Sequence, residues 1–164
     1  MAKEYDPRMH SAEHILNQTM VRMYHRGRSF SAHIEKKKSK CDYHFDRDLT
    51  PQEVASLEQQ VNDVIKRNLP VRVDFLPRDE AAKEFELNRL PDTAGDTIRI
   101  IRIGDYDACP CRGEHVASTA AIGKFKILST DFAGNVLRIR FRLDEQLANG
   151  KQGFDKEQEV DSTE

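Results

Sequence analysis

Residues 97–116, TIRIIRIGDYDACPCRGEHV, open as an isoleucine-rich run and end in a segment punctuated by Gly104, Pro110 and Gly113. A β-branched run that stops at such residues predicts a strand followed by a loop, where irregular backbone can set side chains around a site. Cys111 and His115 fall in that loop four residues apart, with Gly113 between them to permit tight folding. The alternative for these cysteines, small buried apolar residues, fits poorly beside Pro110, Arg112 and Glu114.

Downstream, residues 122–128 (IGKFKIL) and 135–143 (NVLRIRFRL) read as two more strands, with 129–134 (STDFAG) as the hairpin-like connection. Upstream, Val71, Val73 and Phe75 alternate with Arg72 and Asp74 as in a half-buried strand, and 78–87 (RDEAAKEFEL) predicts a short helix before the loop 90–96. Thr50-Pro51-Gln52-Glu53 combines an N-cap, a proline at the first helical position and a capping-box glutamate. Val54, Leu57, Val61, Val64 and Ile65 continue it as an apolar stripe that ends at Asn68 and Pro70. Residues 29–34 and 41–46 predict short strands flanking a turn of Lys36, Lys37, Lys38 and Lys40, and Ser11 to about Gly27 predicts a helix. Helices and hairpins mix without crossovers, so the expected class is α+β: a single two-layer domain of mixed, mainly antiparallel sheet with packed helices.

A chain of 164 residues suits one domain with a real core, taken as residues 1–150. Residues 151–164 carry five acids against two lysines and little to bury, which predicts a disordered acidic tail. That tail accounts for −3 of the formal charge of −2, leaving the rest at +1, so a basic patch for nucleic acid is compatible with the totals. No apolar run approaches the roughly 18 to 20 residues of a membrane span, and the first ten residues lack the apolar stretch of a secretory signal. The expectation is a cytoplasmic protein without a membrane partner. Three cysteines, two of them separated by one residue, argue for metal or thiol chemistry over a disulfide framework.

His10 and His14 are spaced i, i+4, which on a helix puts both imidazoles on one face a turn apart. By itself that spacing is weak, since two polar residues near a helix start produce it by chance. Joined to Cys111 and His115 it makes a three-histidine, one-cysteine donor set of the kind Zn2+ accepts. Cys109 stands as an alternative to Cys111. His25 reads as a surface or capping residue, while His33 and His44 lie on strands that can border the same cleft.

The segments HSAEHIL (10–16), IRIIRIGDYDACPCRGEHV (98–116) and IGKFKIL (122–128) resemble the His-x-x-x-His and Cys-x-x-x-His motifs of the editing domain shared by alanyl- and threonyl-tRNA synthetases. The resemblance covers nearly all of residues 9–143. Without an aminoacylation domain, the sequence is more similar to the short, free-standing alanyl-tRNA editing (AlaX) proteins. That resemblance implies the editing-domain fold and hydrolysis, in trans, of mischarged tRNA, typically Ser- or Gly-tRNA(Ala). It also implies zinc held by His10, His14, Cys111 and His115. One departure is Cys111-Arg112-Gly113-Glu114-His115 in place of the usual alanyl Cys-Gly-Gly-Thr-His. Cys-Arg-Gly is closer to the threonyl version, which admits Ser-tRNA(Thr) as substrate or editing by the same four residues without metal.

Further roles follow from residue chemistry. Glu13 or Glu114 can serve as a base for water, and Ser29, Ser31 and Thr130 are candidates to read a substrate hydroxyl. Lys36, Lys37, Lys38, Lys40, Lys124 and Lys126, with Arg99, Arg102, Arg138, Arg140 and Arg142, are candidate phosphate contacts, although strand alternation makes many of them ordinary solvent-facing residues. Two other classes compete. His10-Ser11-Ala12-Glu13-His14 fits the inverted zinc motif His-x-x-Glu-His of metalloproteases, and a noncatalytic tRNA-binding module could keep the fold and the metal.

Overall fold

The computed structural model describes residues 6–85 and 96–144. Helix α1 (Pro7–Tyr24) is followed by strands β1 (Ser31–His33) and β2 (Ser39–His44), helix α2 (Pro51–Lys66), strand β3 (Val71–Pro77) and helix α3 (Arg78–Glu84). Strands β4 (Thr97–Ile103) and β5 (Asp107–Pro110), a 3-10 turn over Thr119–Ile122, and strands β6 (Lys124–Ala133) and β7 (Val136–Asp144) complete the order. Every described strand pair is antiparallel, in one four-stranded sheet β1-β2-β7-β6 and one three-stranded sheet β3-β4-β5. The α+β expectation holds, with two sheets where one was expected.

Helix α1 begins four residues before the expected start. Asp6 caps it, its side chain accepting from the backbone N–H groups of Arg8 and Met9, and Pro7 occupies the first turn. It stops at His25, which adopts a left-handed conformation, two residues before Gly27. Almost its whole circumference is buried: Met9, Ala12, Ile15, Leu16 and Met20 enter the main core, and polar His10, Ser11, His14, Asn17 and Thr19 are buried as well. A helix so enclosed can carry functional side chains inward with little freedom to move. Asn17 ties it to the first sheet, its Oδ1 accepting from the Tyr43 hydroxyl (2.7 Å) and the Ser29 N–H (3.1 Å).

The capping box at Thr50 and Glu53 forms as expected, and Leu57, Val61, Val64 and Ile65 are the buried residues of α2. This helix also seals the free edge of the first sheet. Asn62 exchanges hydrogen bonds with the backbone of Phe125, and Glu58 accepts the Ile127 N–H, so β6 is not left with unpaired polar groups. Strand β6 runs on through Ser129–Ala133, the stretch expected to be the connection, past a register shift between Ile127 and Ser129. The actual turn is Gly134-Asn135, both at positive φ.

The isoleucines of β4 divide between two interiors. Ile98 and Ile100 pack with Ala81 under α3, while Ile103 on the opposite face joins the main core. Burial on both faces explains why isoleucines occur at both parities of the strand, at 98 and 100 and again at 101 and 103. Outside the main core, Arg138 forks onto Asp42 across the β2–β7 pair at 2.8 and 2.9 Å, and that hydrogen bonding holds the Asp42 carboxyl below its ordinary range. A carboxyl lowered in the folded state lends stability that is complete above the unfolded value of about 3.9 and is lost as pH falls below it. Asp42→Asn is therefore expected to cost about 1–3 kcal/mol at pH 7, with the gap from the native protein closing below about pH 4 in denaturant melts across pH. The loop at 90–95 and the tail from 145 lie outside the described residues.

Candidate metal centre

Two unrelated pieces of chain meet at the site. α1 supplies His10 and His14 from one face, and the loop after β5 supplies Cys111 and His115. One donor atom from each of the four lies within 4.8 Å of the other three. Cys111 Sγ stands 3.3 Å from His10 Nε2. The His10 and His115 rings stack with centroids 4.3 Å apart, and His14 meets both edge-on, at 5.1 Å from His10 and 4.7 Å from His115. Zinc bonds of about 2.3 Å to sulfur and 2.0–2.1 Å to nitrogen imply tetrahedral edges of about 3.3–3.5 Å, so modest side-chain adjustment brings the set to coordination distance.

The loop is pinned from behind. Arg99 on β4 donates through Nη1 to the backbone carbonyls of Cys111 (2.9 Å) and Gly113 (2.8 Å), and the Cys111 N–H returns a bond to the Arg99 carbonyl (3.1 Å). Ser11 reaches across from α1 to accept the Val116 N–H at 3.0 Å. At Gly113 a side chain has no room: a Cβ built there overlaps the Cε1 and Nδ1 atoms of His10.

Without an ion, the charge of the thiolate is balanced by a proton on His14. Burial would raise the Cys111 thiol, but the three imidazoles of His10, His115 and His14 around it outweigh that and hold it down to about 3, as a thiolate. Burial would lower His14, yet Asp107 and Cys111 raise it to about 9. Burial pushes the His115 imidazole down, an effect that Cys111 only partly offsets. Both His115 ring nitrogens are buried with no hydrogen bond. Such orphaned nitrogens beside a thiolate are what a thiophilic divalent ion would satisfy.

Glu13 lies at the pocket, with Oε1 3.7 Å from His10 Nε2 and Oε2 accepting from Asn17 at 3.4 Å. Cys109 is outside the four-donor group: its Sγ donates to the Pro110 carbonyl, and burial pushes its thiol up to about 11. Sequence reasoning passed over Asp107, Arg28 and Gln18. The Asp107 carboxylate, its side chain wholly buried, takes hydrogen bonds from Gln18 (2.8 Å) and Arg28 (2.7 Å) and approaches His14 Nδ1 at 3.5 Å. Burial would raise it; His14 and Arg28 instead hold it far below the usual carboxylate range.

The other expected residues are outside the four-donor group. Ser29 is buried with its hydroxyl given to the Ser31 carbonyl (2.7 Å), Ser31 is exposed on β1, and Thr130 on β6 donates to Asp48 (2.8 Å). Lys40 belongs to β2 rather than to the turn, and with His33, Glu35, Lys38, Ser39 and Arg140 it lines a cavity of about 210 Å³. Arg138, Arg140 and Arg142 are each paired to an aspartate, and Arg102 to Asp74. Lys36, Lys37, Lys38, Lys124 and Lys126 are exposed and have no ion pair among the described residues. His33 contacts Glu35, and His44 stacks on Phe30 at 4.1 Å. Among the described residues no helix is long and apolar enough to cross a membrane.

Fold and pocket together define an α+β domain with a candidate three-histidine, one-cysteine metal site. Residues 98–140 match the family described as the threonyl and alanyl tRNA synthetase second additional domain. It is 32% identical over 133 residues to an alanine–tRNA ligase of Carboxydothermus hydrogenoformans, an alignment covering 80% of this chain and 15% of the relative. It is likewise 32% identical over 138 residues to alanine–tRNA ligase 1 of Lachnoclostridium phytofermentans, covering 79% and 15%, and over 123 residues to an alanine–tRNA ligase of Coxiella burnetii, covering 74% and 14%. The chain thus spans about 15% of the length of the curated relatives it matches.

Proposed function

We propose that the protein is an aminoacyl-tRNA deacylase, hydrolysing the ester of a mischarged tRNA, with Ser- or Gly-tRNA(Ala) as the first choice of substrate. The observation that carries this reading is the convergence of His10, His14, Cys111 and His115 within 4.8 Å, in a chain whose residues 98–140 match the synthetase second additional domain. The donor chemistry fits Zn2+, and His10, His14, Cys111 and His115 would hold it. When bound, the ion supplies Lewis acidity at the pocket.

The chain's own groups do the rest. Glu13, held by Asn17 beside His10, is placed to accept a proton from a water that attacks the ester carbonyl. Aminoacyl esters are already activated, so positioning and electrostatics are enough chemistry. The exposed lysines 36–38, 124 and 126, with half-buried Lys40, are the candidates to meet tRNA phosphates, whereas the arginines of β7 are taken up by aspartates. Replacing Lys36, Lys37 and Lys38 together should weaken tRNA binding and reduce the slope of affinity against salt by about 3.

Cys-Arg-Gly at 111–113 favours Ser-tRNA(Thr) as the second substrate to try. The deciding experiment is a panel of Ser-tRNA(Ala), Gly-tRNA(Ala), Ser-tRNA(Thr) and correctly charged tRNAs, each with zinc-loaded and chelator-treated protein. Selective loss of the serine or glycine esters with the zinc form is expected. Binding without hydrolysis of any ester refutes the enzyme reading, and equal rates after chelation refute the metal. Peptide hydrolysis that Glu13→Gln abolishes would support a protease instead.

A further inference from the structure

Asp107 sits at the start of β5, in register with Ile103, and its carboxylate has no exposed surface. Arg28 forks onto both of its oxygens, and each oxygen has one further neighbour. Oδ1 accepts from Gln18 Nε2 at 2.8 Å and Arg28 Nη1 at 2.7 Å. Oδ2 faces His14 Nδ1 at 3.5 Å, with Arg28 Nη2 at 3.3 Å. Since Nδ1 and Nε2 lie on different sides of an imidazole, a ring that shows Nδ1 to Asp107 turns Nε2 away from it.

We propose that Asp107 is a positioning residue that holds the proton of His14 on Nδ1 and so leaves Nε2 as the unprotonated atom offered to the metal. This rests on the metal-site reading above. A histidine that binds a metal through one nitrogen commonly gives its other N–H to a carboxylate, which fixes both ring angle and tautomer. Gln18 and Arg28 serve the same end one step further out. By saturating Oδ1 with two donors they prevent the carboxylate from turning, so Oδ2 stays on His14. The carboxylate comes from β5 and the imidazole from α1, so the contact also sets the loop's two donors against the two on the helix.

The arrangement makes an unusual demand on asparagine at this position. Its carbonyl oxygen must take the Oδ1 place, because Gln18 and Arg28 both donate there, and its amide NH2 then points at His14 Nδ1. An amide that donates to Nδ1 moves the neutral ring's proton to Nε2, the atom the metal needs. Asp107→Asn, the closest in shape, should therefore harm metal binding at least as much as Asp107→Ala, which leaves room for water. A carboxylate that served only to neutralise Arg28, or only to fill space, would give the reverse order.

The test titrates the full chain, metal-free at the start, with Zn2+ and Co2+, as wild type, Asp107→Asn and Asp107→Ala, with thermal melts of each metal-free protein alongside. Asp107→Asn is expected to lose about 10- to 100-fold in affinity, with Asp107→Ala losing no more. Nitrogen-15 spectra of the zinc-loaded wild type should show His14 protonated at Nδ1, a readout that needs no variant to fold. A proton on Nε2 in that spectrum, or Asp107→Asn binding as tightly as wild type, overturns the proposal while the metal site stands. A wild-type protein that binds neither ion overturns both.

Discussion

Cys111→Ala is expected to lower metal affinity by about 100- to 1000-fold and to abolish deacylation, while leaving the fold in place. The magnitude follows from sharing the roughly 10–16 kcal/mol of a structural zinc site over four ligands, which is about 2.5–4 kcal/mol each. Cys111 should sit at the top of that range because it is the only anionic donor of the four and is already a thiolate, so the proton a metal displaces comes from His14 and not from the sulfur. Serine in its place should do no better, since a hydroxyl stays neutral. The fold survives because the core does not depend on the site. Met9, Ile15, Leu16, Met20, Leu57, Ile65, Phe125 and Phe141 pack with essentially no exposure, and none of them is a metal donor. Chelator-treated wild type and Cys111→Ala should both keep a single cooperative unfolding transition and a native circular dichroism spectrum. Unfolding on chelation, as in a zinc finger, would mean that the ion is structural, and catalysis would then need another centre.

The four donors were legible in the sequence because each pair obeys a local rule. His10 and His14 need only a helix beneath them, and Cys111 and His115 need only a short loop. What joins the pairs is the packing of α1 against β5, and no local pattern encodes that; the resemblance of motifs over the whole chain did. Asp107 shows the limit. In GDYDAC it reads as one more polar turn residue, and its role exists only because Gln18, Arg28 and His14 arrive from elsewhere. The same limit governs the sheets. Alternation identified β3 and an isoleucine-rich run identified β4, yet nothing in Val71–Pro77 or Thr97–Ile103 says that they pair apart from β2, β6 and β7. Two misreadings had local remedies. Asp6-Pro7 is a helix start of the same type as Thr50-Pro51, and the polar run Ser129–Asp131 stays in β6 because it pairs with Arg140, Ile139 and Arg138.

Gly113→Ala, one methyl group, should come close to removing a ligand. The added Cβ would fall 2.5 Å from His10 Nδ1 and nearer still to Cε1, closer than real atoms approach, so either the loop or the ring must give way. The loop is restrained by Arg99, bonded to the carbonyls of both Cys111 and Gly113. The ring is confined by its stack on His115 and by the buried helix that carries it. Rotation of His10 is the softer response, and it takes Nε2 away from Cys111. Affinity for Zn2+ should therefore fall about 100-fold or more, against an overpacking cost of about 1–3 kcal/mol in stability. A double-mutant cycle separates this from general damage. If Gly113 matters only because it makes room for His10, then Gly113→Ala should add almost nothing to the loss already caused by His10→Ala. Additive losses of affinity would instead assign the glycine to the path of the loop itself, with Cys111 and His115 displaced together.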